Sequence, residues 1–241
     1  MLSDIVIDGD KVEISAIVRA MAEEEKKPKV YTTKVNTILT DDKLEILMPM
    51  EKTKLILLPV DGEYNLCFNT AKGLYQCSAR IYDRYKSNNI YVLAFELTSN
   101  LRKFQRREYY RFNCVIDMRM RELKRDEADS VDKGRMMIVQ GLPLRRALIC
   151  DLSGGGMRLI TDTLFEVDTY VYCSFNLYIN GHLKEYEMIG RVLRGKAIDN
   201  RPGEFEHSIQ FVGIDVDVRE EIIRYIFEEE RKIMRKNKNV F

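Results

Sequence analysis

Strand-length runs of apolar residues, set between turn-forming residues, fill this chain almost to its end. That spacing points to small barrels or sandwiches. Ile5-Val6-Ile7 and Val12-Glu13-Ile14 flank Asp8-Gly9-Asp10, a turn cluster of the hairpin kind. Leu44 to Met48, Lys54 to Val60, Tyr64 to Phe68, Tyr75 to Tyr82 and Ile90 to Leu97 read as further strands, with Asp61-Gly62 as a turn among them. The charged stretch Ala22 to Lys29 reads as a loop. Strand signals resume in Phe112 to Met120, Arg146 to Cys150, Met157 to Ile160, Tyr170 to Leu177, Tyr186 to Leu193 and Phe205 to Ile214. Between the first two of these, Arg121 to Arg145 is a long, mostly charged insertion, which reads either as a mobile loop or as a partner contact. The period changes only at the tail. Ile222, Ile223, Ile226, Phe227, Ile233 and Met234 form a helical stripe over Asp217 to Met234. Asp217 followed by Glu220 suits the N-cap of that helix, and Lys232, Arg235 and Lys236 suit its C-terminal end.

With 241 residues and 45% hydrophobic side chains, the chain can bury one large core or two modest ones. Lys+Arg number 39 against 38 Asp+Glu, and the halves before and after residue 105 are each close to neutral. A protein that binds long nucleic acid normally carries a strongly basic domain, so that class is disfavoured, and no DNA or RNA partner is expected. The five cysteines are scattered without a CxxC pair and only two histidines are present, so no metal site is expected. No clustered carboxylates or histidines suit metal-assisted phosphodiester cleavage, and the chain does not read as an enzyme. The start, Met1-Leu2-Ser3-Asp4-Ile5, lacks the features of a signal peptide. The longest aliphatic run, Leu55 to Val60, is far shorter than the roughly twenty residues a membrane helix needs. A soluble cytoplasmic protein without membrane insertion is therefore expected.

Two segments carry chemistry. Arg102 to Arg111 reads R-K-F-Q-R-R-E-Y-Y-R, with five cations and one anion. Arginine's planar fork bonds phosphate oxygens bidentately, donates to guanine O6 and N7, and stacks on bases. Arg107 and Arg111 are four apart, a spacing that puts both on one side of a strand or of a helical turn, while Arg106 points elsewhere. The second segment is Asp151-Leu152-Ser153-Gly154-Gly155-Gly156. Asp151 can accept from the N1–H and N2–H2 edge of guanine, Ser153 can donate or accept, and the glycines let backbone approach a ligand closely. Each has a plain structural alternative, a solvated arginine face for the first and an ordinary strand-to-strand turn for the second. Their occurrence in order, with strands around each, is what points to a small anionic nucleotide.

Gln105-Arg106-Arg107-Glu108-Tyr109-Tyr110-Arg111-Phe112 resembles the RxxxR signature of PilZ domains, with Arg107 and Arg111 at its two arginines. Asp151, Ser153 and Gly156 match the (D/N)xSxxG signature of the same family. The strands and terminal helix from Arg106 to about Arg235 resemble the PilZ barrel and its closing helix. Met48-Pro49-Met50-Glu51, Leu57-Leu58-Pro59-Val60 and Gly73-Leu74-Tyr75-Gln76-Cys77 resemble the N-terminal domain of YcgR-type flagellar brake proteins.

The resemblance implies an all-β protein with a C-terminal helix, built as two small β-barrel domains in tandem, the second a six-stranded PilZ barrel. The expected boundaries are 1–98 for the YcgR-like N-terminal domain, 99–105 for a connector and 106–241 for the PilZ domain with its helix. It implies a receptor for cyclic di-GMP, with no other cofactor, in which Arg106, Arg107, Arg111, Asp151, Ser153 and Gly156 bind the ligand and Arg158 is a further residue that could face the site. It also implies a stator or rotor protein of the flagellar motor as partner, restraint of motility, and recruitment from the cytoplasm to the flagellar base. The competing reading is a small barrel that binds single-stranded nucleic acid. That function calls for a basic groove lined with stacking aromatics, and the neutral halves and lack of tryptophan weigh against it.

Overall fold

The computed structural model describes residues 1–17 and 29–238, which fall into two compact units, Met1–Arg106 and Arg107–Phe241. The first is built from β1 (Lys11–Ala16), β2 (Val30–Ile38), β3 (Lys43–Leu47), β4 (Met50–Glu51), β5 (Lys54–Leu55), β6 (Glu63–Thr70), β7 (Gly73–Ser87), β8 (Ile90–Leu97) and β9 (Arg102–Lys103). Strands β6-β1-β2-β3-β8-β7 follow one another, and the pairing of β6 with β7 closes them into a six-stranded antiparallel barrel. Closure satisfies the backbone donors and acceptors of both would-be edge strands. The period-2 alternation read from the sequence puts Val12, Ile14, Leu44, Ile46, Leu66 and Phe68 inside, each fully buried.

Two expectations for this unit need correction. Ile5 to Ile7 is not a strand. A 3₁₀ turn over Leu2–Asp4 precedes it, Val6 inserts into the core with Ile5 packed against its edge, and Ile7 is exposed. Gly9, at φ 89°, lets its N–H reach the Val35 carbonyl at 2.9 Å, so the segment is tied to β2 rather than paired with β1. Lys54 to Val60 keeps strand pairing only over β5, in a small hairpin with β4. Pro59 lacks an N–H for a ladder, and Asp61 turns at φ 63°. The connector expected over 99–105 runs along the first barrel. β9 pairs with Tyr75 and Gln76 of β7, Thr98 N–H donates to the Ser78 carbonyl at 2.8 Å, and Phe104 N–H donates to the Leu74 carbonyl at 2.8 Å. The charged loop expected over Ala22 to Lys29 lies outside the described residues except for Lys29, whose Nζ is 2.7 Å from Glu51.

The second unit contains β10 (Phe112–Glu122), α1 (Arg125–Asp132), β11 (Arg145–Ser153), β12 (Gly156–Thr161), β13 (Tyr170–Ile179), β14 (His182–Ala197), β15 (Phe205–Val212) and α2 (Val216–Lys238). Its six strands form a closed antiparallel barrel in the order β10-β11-β12-β15-β14-β13, with β10 against β13 completing the ring. α2 lays Ile222 and Ile226, both almost fully buried, into the same core cluster as Ile149, Leu152 and Phe175. The helix begins one residue earlier than its expected N-cap, Asp217. Asp215 is the cap, accepting the Asp217 N–H on Oδ1 at 2.8 Å. No helix among the described residues is long and apolar enough to cross a membrane.

The insertion between β10 and β11 is a folded element rather than a mobile loop. α1 has no continuous apolar stripe, which is why its period is hard to see, and it is held by charge. Glu127, 3% exposed, accepts from Arg121 Nη1 at 2.7 Å and Nη2 at 2.6 Å. It also accepts the Lys124 N–H at the start of α1 and the Val139 N–H where the chain returns, each at 2.7 Å. Leu123, Val131, Tyr172 and Ile189 form a small apolar cluster beneath. The Arg121 hydrogen bonds dominate in holding the Glu127 carboxyl down at about 2, against the opposing pull of burial. A carboxylate lowered in the folded state stabilises above its unfolded value and loses that contribution as pH falls toward the folded one. The stabilisation from Glu127 should therefore be complete at neutral pH and fade between the ordinary carboxylate range and about 2. Glu127→Gln should cost about 3–5 kcal/mol at neutral pH by leaving Arg121 buried without its counter-ion. Urea unfolding of the full chain measures this, and an unchanged midpoint would show that the ion pair does not hold the insertion.

Candidate ligand site

β11 and β12 meet in the turn Ser153–Gly156, whose end residues are register partners. Ser153 Oγ donates to the Gly156 carbonyl at 2.9 Å and closes the turn from inside. β12 can lie against β15 here because residue 156 lacks a side chain. A Cβ would stand 2.1 Å from the Ile209 carbonyl oxygen, a backbone atom that cannot swing aside. The turn glycines serve a second contact. A Cβ on Gly154 would come within 2.8 Å of the Tyr109 ring, and one on Gly155 within 2.9 Å.

Tyr109 thereby joins the two signature segments. It lies between the two arginines Arg107 and Arg111, and its ring rests on the glycine turn. Arg219 of α2 holds it from the other side, with its guanidinium 5.5 Å from the ring centroid and Nη1 donating to the phenol oxygen at 3.0 Å. The neighbouring Tyr110 stacks on Phe227 with centroids 6.4 Å apart and hydrogen-bonds Glu230. Both tyrosines are thus seated against α2, and the exposed Arg107 and Arg111 stand on an anchored stretch of backbone. Arg111 immediately precedes Phe112, the register partner of Leu152, so it falls beside the strand end that carries Asp151 and Ser153. Arg219, Phe227 and Glu230 belong to no motif, and nothing in the sequence marks them as supports for the arginine segment.

Asp151 is nearly buried and has a partner. It sits opposite Arg158 across β11 and β12, and Arg158 Nε donates to its Oδ2 at 2.6 Å. The same guanidinium reaches Glu206 at 2.8 Å through Nη1, and Lys196 completes the row at 3.2 Å from Glu206. Burial alone would raise the Glu206 carboxyl, but hydrogen bonds from Arg158 and Lys196 outweigh it and hold the group below its usual value. Arg158 is pushed further toward its charged form, first by Asp151 and then by Glu206. Arg106 is the last residue of the first unit, where Nη1 pairs with Glu13 at 3.1 Å.

The remaining reactive side chains have structural surroundings. Cys114, close to Asp151 and Cys150, is pushed up to about 12 by burial, so it carries almost no thiolate at neutral pH. His207 is fully buried, and its Nε2 accepts the Phe165 N–H at 3.0 Å, which requires the neutral ring. Among the described residues, no group of His, Cys, Asp or Glu is arranged to hold a metal ion.

Residues 105–228 match the family model of the PilZ domain, a span of more than half the chain, and residues 8–97 match that of the flagellar protein YcgR. The chain belongs to the PilZ domain family. Its PilZ unit is preceded by a YcgR-type N-terminal unit, the order that the sequence resemblance implies. Among solved structures, the motility inhibitor MotI/DgrA of Bacillus subtilis shares the fold, with a TM-score of 0.72 at 18% identity, covering 94% of this chain and 99% of that one. Escherichia coli YcgR, solved in complex with c-di-GMP, gives a TM-score of 0.47 at 14% identity over 97% of this chain and 89% of that one. No curated protein sequence matches.

Within the PilZ unit, the turn geometry makes a direct prediction. Gly156→Ala should destabilise the barrel by about 1–3 kcal/mol or more, because its Cβ can be accommodated only if β12 moves off β15. A wild-type urea midpoint for this variant would show that the close approach is not a constraint.

Proposed function

We propose that this protein is a receptor for cyclic di-GMP and that Arg107, Arg111, Asp151, Ser153 and Gly156 form its binding site. The observation that carries the reading is the seating of the Tyr109 ring on Gly154 and Gly155, which puts the arginine segment against the turn of the second signature. Arg107 and Arg111 supply guanidinium forks for phosphate oxygens and guanine acceptors. Asp151 supplies acceptors for the guanine N1–H and N2–H2 donors, and the hydrogen bond from Arg158 Nε keeps that carboxylate aimed. Ser153 commits its proton to the Gly156 carbonyl, so its part toward ligand is as an acceptor and as the lock on the turn. Gly156 contributes by allowing the close strand approach. Arg106, which the resemblance adds to the set, pairs with Glu13 through Nη1, which leaves its other guanidinium donors for ligand.

The ligand-bound receptor acts in this reading on a flagellar motor protein, stator or rotor, and restrains motility. Support comes from the match of residues 8–97 to the YcgR model, an argument from domain organisation. Swimming expansion of a flagellated host expressing the chain, compared with the Arg107→Ala variant, tests the motor step separately from binding.

Calorimetric titration tests the ligand. Cyclic di-GMP should bind at least about tenfold more tightly than cyclic di-AMP, since mismatched polar groups at Asp151 cost about 1–3 kcal/mol. Equal affinities would remove the assignment of Asp151 to guanine. Arg107→Ala and Arg111→Ala should each weaken cyclic di-GMP by about ten- to a hundredfold through loss of charge-assisted bonds, without unfolding the chain. Wild-type affinity in both folded variants would show that these arginines are not the binding residues. Tighter binding of an oligonucleotide, with a steep salt dependence, would favour the single-stranded nucleic-acid reading instead.

A further inference from the structure

α2 is longer than the barrel it closes. Its 23 residues bury Ile222 and Ile226 in the core, but Ile233, two turns beyond Ile226 on the same side, is 46% exposed. Every side chain from Arg231 to Lys236 is exposed. At its rise per residue the helix runs about 18 Å past Ile226. The apolar pattern continues where the barrel no longer covers it.

The projecting turns carry a second apolar line, turned away from the core. Phe227 and Met234 are seven residues apart, so they lie on one side two turns along, and they are 48% and 56% exposed. Tyr110, 52% exposed, stacks on the Phe227 ring and widens that line into a shelf. Glu228 and Arg235, each one position further on, repeat the same spacing along one flank. The carboxylates beside them are occupied, Glu229 by Lys232 and Glu230 by the Tyr110 hydroxyl. Among the described residues, Glu228 and Arg235 themselves form no ion pair.

Both repeats suit one occupant, the same helix running the other way. A parallel copy would set Glu228 against Glu228 and Arg235 against Arg235, like against like. An antiparallel copy that sets Phe227 against Met234 brings residue 228 opposite residue 233, and Glu228 then falls between Arg231 and Arg235 of the second copy. A two-fold axis makes each of these contacts twice. The apolar contact is also apt, since a thioether packs well on an aromatic ring. We propose that two copies of this chain associate through α2, antiparallel about a two-fold axis, with Met234 of each seated on the Phe227–Tyr110 shelf of the other. The surface is small, so the dimer is weak and reversible. The inference does not depend on cyclic di-GMP binding.

Sedimentation equilibrium of the full chain over about 1–500 μM is the test. The chain should pass reversibly from monomer to dimer within that range. Glu228→Lys and Arg235→Glu should each weaken the dimer about tenfold, because the two-fold axis doubles every change. An equimolar mixture of these two variants should associate more tightly than either alone, since each supplies the charge the other lacks. Met234→Gln should also weaken the dimer about tenfold. Residues 234 and 235 touch no part of the barrel core, so their variants should keep the wild-type thermal midpoint at dilutions where the chain is monomeric. A chain that stays monomeric to the top of the range overturns the proposal and leaves the ridge to a different partner. A dimer whose affinity is unchanged in Glu228→Lys and Met234→Gln overturns it as well, because the contact then lies elsewhere.

Discussion

β12 and β15 approach closely at one residue, and the arrangement of that end of the second barrel follows from it. With no side chain at residue 156, the Ile209 carbonyl can occupy the space a Cβ would need, and the β11–β12 turn is drawn tight. Ser153 fastens the turn from inside. The flat glycine surface so made receives the Tyr109 ring, and Tyr109 carries the backbone between Arg107 and Arg111 with it. A residue type chosen for steric reasons thus fixes where two cations stand. The packing gives residues of both signatures a structural part. Glycines and a serine in one, and tyrosines in the intervening positions of the other, are the joint between the two segments.

Electrostatics completes that end of the barrel. Asp151 is buried, and a carboxylate in that position needs a partner. Arg158 supplies it, and Glu206 and Lys196 extend the row of alternating charge along the barrel face. The alternating charges leave each buried group paired, which is the condition under which such groups can be kept in a fold. Arg158 therefore has a role that motif spacing alone understates. Its first partner is the aspartate of the signature, so it positions that carboxylate whatever else it touches.

The closed barrels are legible because their strands alternate strongly. Every second side chain is aliphatic or aromatic and points inward, as in Leu44 and Ile46 or Leu66 and Phe68. β2 is hidden for the converse reason. Thr32, Thr33, Lys34, Asn36 and Thr37 leave Val35 as its one buried side chain, and pairing with β1 and β3 makes it a strand. α1 is hidden because its stability comes from one buried ion pair and not from an apolar period. The cap of α2 differs by two residues from its expected place because Asp215 and Asp217 are equally good caps in sequence, and only the backbone decides between them. At the site, the two signatures can be named from the chain, but their joint cannot. Arg219 lies 110 residues from Tyr109, and no local pattern connects them.

The insertion shows how a charged segment can be more ordered than its composition suggests. Burying Arg121 and Glu127 costs desolvation on both, and a bare pair would recover it poorly. Here the carboxylate also takes two backbone N–H groups, one opening α1 and one 12 residues further on. Each of those donors would otherwise need its own partner, so a single side chain satisfies a helix terminus and a returning strand of chain together. That arrangement fixes the path of residues 136–140 over Tyr172, where they line a groove at the start of α2. A segment held this way forms a wall, which an unstructured loop of the same length could not do.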